Sequence, residues 1–537
     1  MARLSILSVL FFAAASLSAP NYGKNNNPPC RFAPLYSQDN VLEHPRDFAQ
    51  DFLYWEGHFH QNNVGYNTAN AMTYDGTLLD PTTGLATEKH PFSAASKELQ
   101  HSTDNSGTIT QSIHIMLLAH ALDGDADAAR FLAPNQPKKA AQQLAFQIMQ
   151  TKLNTYLTFN ATYPGFGGFL PWFLADKTML TPTLDWVNRV PALDNGELIW
   201  AVYAAVQVLG ESSQKEWKDL ANGWQRWLDY TKKNAARVFY ADAGKVCAVT
   251  TIKDQALPVG DARQSYKCEG SGTLNDPYEG ELFMWWLYFF GGLSNANKQA
   301  LLAVKRPQLV RKEYQMGNIG PITVQEGFWF SAHEQWKLLE LPYLSIPLVQ
   351  RLFLNAERVR TCNSAIQHIP GMFASVNNST DSSGQIIGYI SDAGIPSISN
   401  QTTFELDVVT PYSVFPVMLF DRGVAFAWWL DMAKGKKMQN PYGSTESTRV
   451  DGTAVSSFVS WDSKITTVVA NLGGVAEFAA SKMKRDGIYD EFIDVTQREY
   501  GMKFSQPLNG ERQPLCLPTA TVPDAGLVDY TQCSKGS

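Results

Sequence analysis

Two kinds of helical segment alternate along most of this chain, and that alternation limits the fold more than any other feature. Residues 106–122, 194–209, 276–290, 421–433 and 461–474 are apolar nearly all round, whereas 137–157, 212–239, 295–307, 347–362 and 475–493 confine their charges to one face. A helix that is apolar on every side must be buried on every side, and an amphipathic helix keeps one wet face. Interleaving the two builds an inner ring of helices jacketed by an outer ring. With residues 327–344 as a sixth inner member, the pattern predicts a mainly α fold, an (α/α)6 barrel or toroid. Short stretches such as "KVCAVTTI" and "SSFVSW" read as β-hairpins in the loops. No regular βαβ alternation is present, so a parallel sheet with a nucleotide site is not expected.

The N-terminus, "MARLSILSVLFFAAASLSAP", has one Arg, a short apolar run and small residues before Pro20, the pattern of a cleaved secretory signal over residues 1–18. Residues 19–45, rich in Asn and Pro, are expected to form an extended lead-in, and 46–537 a single catalytic domain. No later run offers about 18 uncharged apolar residues, so no membrane partner is expected. A net charge of -7 supplies no basic stripe for a phosphate backbone, which argues against nucleic acid. A secreted, extracellular monomer is expected. Six cysteines, none in a C-x-x-C motif, suit an oxidising compartment. The pairs nearest in sequence, Cys247 with Cys268 and Cys516 with Cys533, are the first expectation. Sequons at Asn160, Asn377, Asn378 and Asn400 suggest surface glycans.

The inner segments open with polar or acidic residues and only then become apolar: "HSTDNSG", "LDNGE", "DPYEGE" and "WDS". Inner helices of a toroid run parallel, so these starts, with their unpaired N–H groups, converge on one mouth. In "NDPYEGELFMWW", Asp276 is placed as N-cap, Pro277 as the first helical residue and Glu279 at the third position of a capping box. A plain cap is the competing reading of Glu279. A carboxyl set against Tyr278, Phe283 and Trp285 would be desolvated, which raises its proton affinity and suits a general acid. Cleaving a sugar bond needs a second carboxyl. Asp462 is the first candidate, with an N-cap as its competing role; Asp451 is an alternate base, and Glu281 and Glu269 are alternate acids. Asp104, Asp194 and His333 are candidate substrate contacts. Phe166, Trp172, Trp186 and Trp329 are candidate platforms for the C–H faces of sugars, although each aromatic singly is more often core.

"PGFGG" lacks the lysine and the strand–helix frame of a phosphate loop, and "SAHEQW" does not supply the two-histidine zincin spacing. No cofactor or metal is expected. The stretches "YPGFGGFLPWF", "VPALDNGELIWAVYA", "DPYEGELFMWW", "QEGFWFSAHEQWKLLELPYLS" and "YGSTESTRVDGTAVSSFVSWDSKITTV" resemble the fungal secreted endo-β-1,2-glucanases, glycoside hydrolase family 162. The later half is also similar, distantly, to the bacterial glycoamylase-like domain. The resemblance implies an (α/α)6 barrel and inverting endo-hydrolysis of linear β-1,2-glucan to sophoro-oligosaccharides. It also implies a glutamate acid and an aspartate base, carried to Glu279 and Asp462, with the acid acting through a hydroxyl of a bound glucose. The rival readings are another α/α-toroid carbohydrate enzyme, glucoamylase-like or a lyase, and a non-catalytic glycan-binding protein.

Overall fold

The computed structural model describes residues 27–90, 105–106, 108–175, 179–377 and 389–534. The signal segment therefore lies outside the described residues. No helix among them is long and apolar enough to cross a membrane.

The inner ring is built where the sequence is apolar all round. Every residue from Asp194 to Leu209 in the helix Leu193–Glu211 is buried, as is every residue from Gly423 to Ala433 in Arg422–Ala433. Thr108–Asp123, Glu281–Phe290 and Trp461–Asn471 complete this set. Leu193–Glu211 packs against both Thr108–Asp123 and Glu281–Phe290, and Thr108–Asp123 packs in turn on Trp461–Asn471. The jacket comprises Lys138–Thr162, Lys215–Phe239, Asn295–Lys305 and Pro347–Ile366. In Lys215–Phe239 the buried side chains Trp217, Leu220, Trp224, Trp227, Leu228 and Thr231 recur at helical spacing, so one stripe faces inward and the charges face water.

Several boundaries differ from the sequence reading. The sixth inner member is not a continuous helix: residues 327–344 contain the 3₁₀ turn His333–Gln335, the short helix Lys337–Glu340 and the turn Tyr343–Ser345. Leu341 is extended because it precedes Pro342, whose ring excludes the helical conformation there. The 475–493 segment is two helices, Ala476–Arg485 and Tyr489–Phe504, parted at Gly487, which has φ of +74°. "SSFVSW" forms no local hairpin; its strand Phe458–Ser460 pairs antiparallel with the distant Gly76–Leu78. The lead-in is not extended throughout, since Gln38–Glu43 is a helix closed by a Ser37 capping box and Phe32 sits in the core.

The Cys247–Cys268 pairing occurs as expected. The Cys516–Cys533 expectation is corrected: Cys516 joins Cys362, and Cys533 joins Cys30. The C-terminal tail runs back along Pro347–Ile366, where Thr519 donates to the Ala365 carbonyl at 2.7 Å. Sequence proximity therefore loses to the tail's path across the fold.

Candidate active site

Glu279 does not cap a helix. The helix begins two residues later at Glu281. Asp276 accepts the Tyr278 N–H at 3.1 Å and closes a tight local turn, so residues 276–280 become a non-helical shelf instead of a first helical turn. A Cβ on Gly280 would stand 2.8 Å from Asp276 Oδ2, so the turn requires glycine at that close approach. On this shelf Glu279 is largely buried, Oε1 lies 3.5 Å from His333 Nε2, and Oε2 has no hydrogen-bond partner among the described residues. Burial first, then the charge of Asp276, pushes its carboxyl well above the usual range. Burial raises Asp276 to about 6 and Glu334 to about 7, and it lowers His333 to about 4.

Asp462 stands in the first turn of Trp461–Asn471, behind the Ser460 N-cap. Its Oδ1 has no hydrogen-bond partner among the described residues. Burial first, then the charges of Asp75, Glu446 and Asp194, push it well above the ordinary aspartate range. Glu446 is buried and accepts the Ser460 N–H at 2.9 Å and the Ser460 hydroxyl at 3.0 Å. Asp75 arrives through the Gly76–Leu78 strand pairing, and its carbonyl accepts the Trp461 N–H at 3.1 Å.

Two buried groups tie the acids into one neighbourhood. Glu197, in the first turns of Leu193–Glu211, is raised by burial and then by Glu340, Asp194, Glu279 and Asp462. Tyr412 is raised by burial and feels Tyr389, Asp462, Glu446 and Glu279. Both lie within electrostatic reach of Glu279 and Asp462 together. A buried cluster of this many carboxyls cannot ionise them all, so it retains protons near neutral pH.

The alternates are placed differently. Glu281 is fully buried, paired with Lys305 and with Lys337 at 2.7 Å, and held down to about 2 by those cations against the opposing effect of burial, so it has no proton to give. Glu269 is bound at 2.6 Å through each oxygen to Arg189 and is half-exposed. Asp451 is exposed, and the Thr453 hydroxyl and N–H hold it below the usual range. The expectation for Phe166 is corrected: it is wholly buried 5.5 Å from Phe159, in the core, because the Pro164–Phe166 turn points it inward. Asp104 lies outside the described residues.

Trp172 donates its indole N–H to Asp194 Oδ2 at 2.9 Å and stacks on Trp186 at 4.9 Å. The Arg189 guanidinium also lies over the Trp186 ring, at 4.6 Å. Trp186 thus backs Trp172, and Trp172 is the partly open ring. Phe328 is exposed and Trp329 half-buried, 4.5 Å apart at 85°. Sequence reasoning passed over Glu197, Glu446, Asp75 and Tyr412. For Glu197 the signal was a carboxyl inside an otherwise wholly apolar helix. Nothing local marked Tyr412, which the separate 3₁₀ turn Pro411–Val414 delivers.

Neutralised carboxyls among partly open aromatics, held by a ring of buried helices, define a carbohydrate-cleaving enzyme of the α/α-toroid class. Residues 72–534 match the family model described as endo-beta-1,2-glucanase SGL, and the chain belongs to that family, glycoside hydrolase family 162. The endo-β-1,2-glucanase from Talaromyces funiculosus, solved in complex with sophorose, is 58% identical with a TM-score of 0.91, over 94% of this chain and 100% of that one. A mutant of the same enzyme solved with β-1,2-glucan matches equally well. The Chitinophaga pinensis endo-β-1,2-glucanase shares the fold at 11% identity and TM-score 0.53, over 84% of this chain and 98% of that one. A putative glucoamylase from Bacteroides fragilis does so at 10% identity and TM-score 0.53, over 88% and 98%. No curated protein sequence matches the chain.

Proposed function

We propose that this protein is a secreted endo-β-1,2-glucanase in which Glu279 is the general acid and Asp462 the general base of an inverting hydrolysis. The observation that supports the pairing most directly is that Glu279 Oε2 and Asp462 Oδ1 are each buried without a hydrogen-bond partner among the described residues; Glu197 and Tyr412 are influenced by both carboxyls. Glu279, kept protonated by burial, gives its proton toward the glycosidic oxygen, directly or through a sugar hydroxyl. Asp462 takes a proton from water as that water forms its bond to the anomeric carbon and the glycosidic C–O bond breaks. The new reducing end then has the opposite anomeric configuration. A base crowded by Asp75 and Glu446 binds a proton more strongly once it is ionised, which suits proton abstraction. Trp172, oriented by Asp194, and the Phe328–Trp329 pair are the sugar platforms, and His333 acts on Glu279 rather than as a separate sugar contact. The three disulfides and the N-terminal signal pattern support secretion.

The test offers linear β-1,2-glucan, laminarin, a soluble cellulose derivative and starch, with product size and anomeric configuration read early in the reaction. Short sophoro-oligosaccharides of inverted configuration, from the first substrate alone, are expected. Release from starch alone overturns the reading. In parallel, Glu279→Gln and Asp462→Asn should each lower kcat by about 10²–10⁴ while glucan still binds. Full activity in either variant removes that residue from its role.

A further inference from the structure

Glu334 follows His333 directly, yet its carboxylate serves a different group. It is 8% exposed and is wrapped by the loop before it. Oε2 accepts the Phe328 N–H at 3.0 Å, and Oε1 accepts the Trp329 N–H at 2.7 Å and the Ser331 N–H at 3.2 Å. Within this wrap Phe330 adopts φ of +57°, a conformation that a bulky side chain disfavours and that the surroundings must enforce. A Cβ on Gly327 would stand 2.4 Å from Phe330 N and 2.6 Å from Glu334 Oε2, so the chain closes around the carboxylate only with glycine there.

The outer side of the loop is also fixed. The Trp329 carbonyl accepts the Ile395 N–H at 2.9 Å, and the Gly327 carbonyl accepts the Asn400 N–H at 3.0 Å. The Tyr278 hydroxyl donates to the Glu326 carbonyl at 2.9 Å, which joins the loop to the shelf carrying Glu279. Phe328 lies 6.4 Å from Tyr278 across the same corner. The carboxylate also borders a small cavity lined in part by Tyr278, Gln325, Phe330, Gln335, Leu352 and Ala356.

We infer that Glu334 is a positioning residue for substrate binding: its carboxylate holds the Phe328–Trp329 pair as a preformed face for a glucose ring beside the shelf that carries Glu279. Without the carboxylate, three N–H groups lose their acceptor and the strained conformation at Phe330 loses the contacts that enforce it. Sugar binding must then reorder the loop, which costs affinity and not the chemical step. The inference deepens the proposed function and rests on it.

The test is a double-mutant cycle of Glu334→Gln with Trp329→Ala on linear β-1,2-glucan, with circular dichroism as the check on folding. Rates are taken from the flat part of each pH profile, because the Glu334 charge also raises Glu279. Glu334→Gln keeps one acceptor oxygen but sets an amide N–H against the loop's own donors. The expected result is a three- to tenfold rise in KM with kcat within twofold. Trp329→Ala should raise KM similarly, and the double variant no further than the larger single effect. An unchanged KM in Glu334→Gln, a fall in kcat with KM unmoved, or effects that multiply in the double variant would each overturn the inference. Wild-type enzyme inert on β-1,2-glucan would instead overturn the proposed function, a separate outcome visible in the control.

Discussion

His333 Nε2 stands 3.5 Å from Glu279 Oε1, and His333 Nδ1 lies 3.5 Å from the Tyr412 hydroxyl. That hydroxyl has one hydrogen and donates it to the Ser375 carbonyl at 2.8 Å, so its oxygen is left to accept from His333. The pattern assigns the imidazole hydrogen to Nδ1 and leaves Nε2 as an acceptor facing Glu279. Burial lowers the imidazole to about 4 and raises the carboxyl, so the contact is between neutral partners and not an ion pair. His333→Ala should therefore lower kcat about tenfold with a smaller change in KM, because the Glu279 carboxyl loses the neighbour that fixes its Oε1 side in place. Steady-state kinetics on β-1,2-glucan check this, and unchanged kcat would remove His333 from the acid's support.

Removing a like charge near the base should move the pH profile. Asp75 raises Asp462, so Asp75→Asn lets Asp462 ionise at lower pH, and the acidic limb of kcat/KM shifts downward. The alkaline limb, governed by Glu279, should stay in place. A full pH profile of both enzymes distinguishes this from a general loss of activity.

Glu281→Gln should act on stability rather than chemistry. It leaves Lys305 and Lys337 buried without their shared carboxylate, a loss of about 3–5 kcal/mol for a broken buried pair. Denaturant unfolding should show that loss, while any protein that remains folded keeps kcat within a few-fold of wild type.

Asp431 offers a pH-dependent stability test apart from the acid cluster. Burial raises it to about 7, so between the ordinary aspartate range and pH 7 the folded state holds a proton that the unfolded chain releases. Stability therefore falls as pH rises through that window. Asp431→Asn should raise the thermal midpoint at pH 8, by on the order of 1–2 kcal/mol of stability, and change little at pH 4. Equal shifts at both values would contradict the assignment.

The toroid was legible because burial on all sides demands apolar residues on all sides, as in Leu193–Glu211 and Arg422–Ala433. The misreadings lay where a side chain competes with the helix for backbone groups. Asp276 closes its own turn, and Glu334 takes the N–H groups of the loop before it; both acts depend on tertiary position and leave little trace in spacing. Glu279 and Asp462 were readable as acids at the starts of apolar runs. Tyr412, Glu446 and Asp75 were not, because loops and a strand pairing between residues nearly 400 apart deliver them. Phe166 shows the converse: it read as a sugar platform, and the Pro164–Phe166 turn hid the ring.

The Cys30–Cys533 bridge joins residues 503 apart in sequence. With that link closed, the described chain is a covalent loop, and one peptide cleavage inside it opens the loop without releasing a fragment. A nicked molecule would run as one species until a reductant is added, and a reordered gene with new termini at such a nick would keep the same neighbours on every helix.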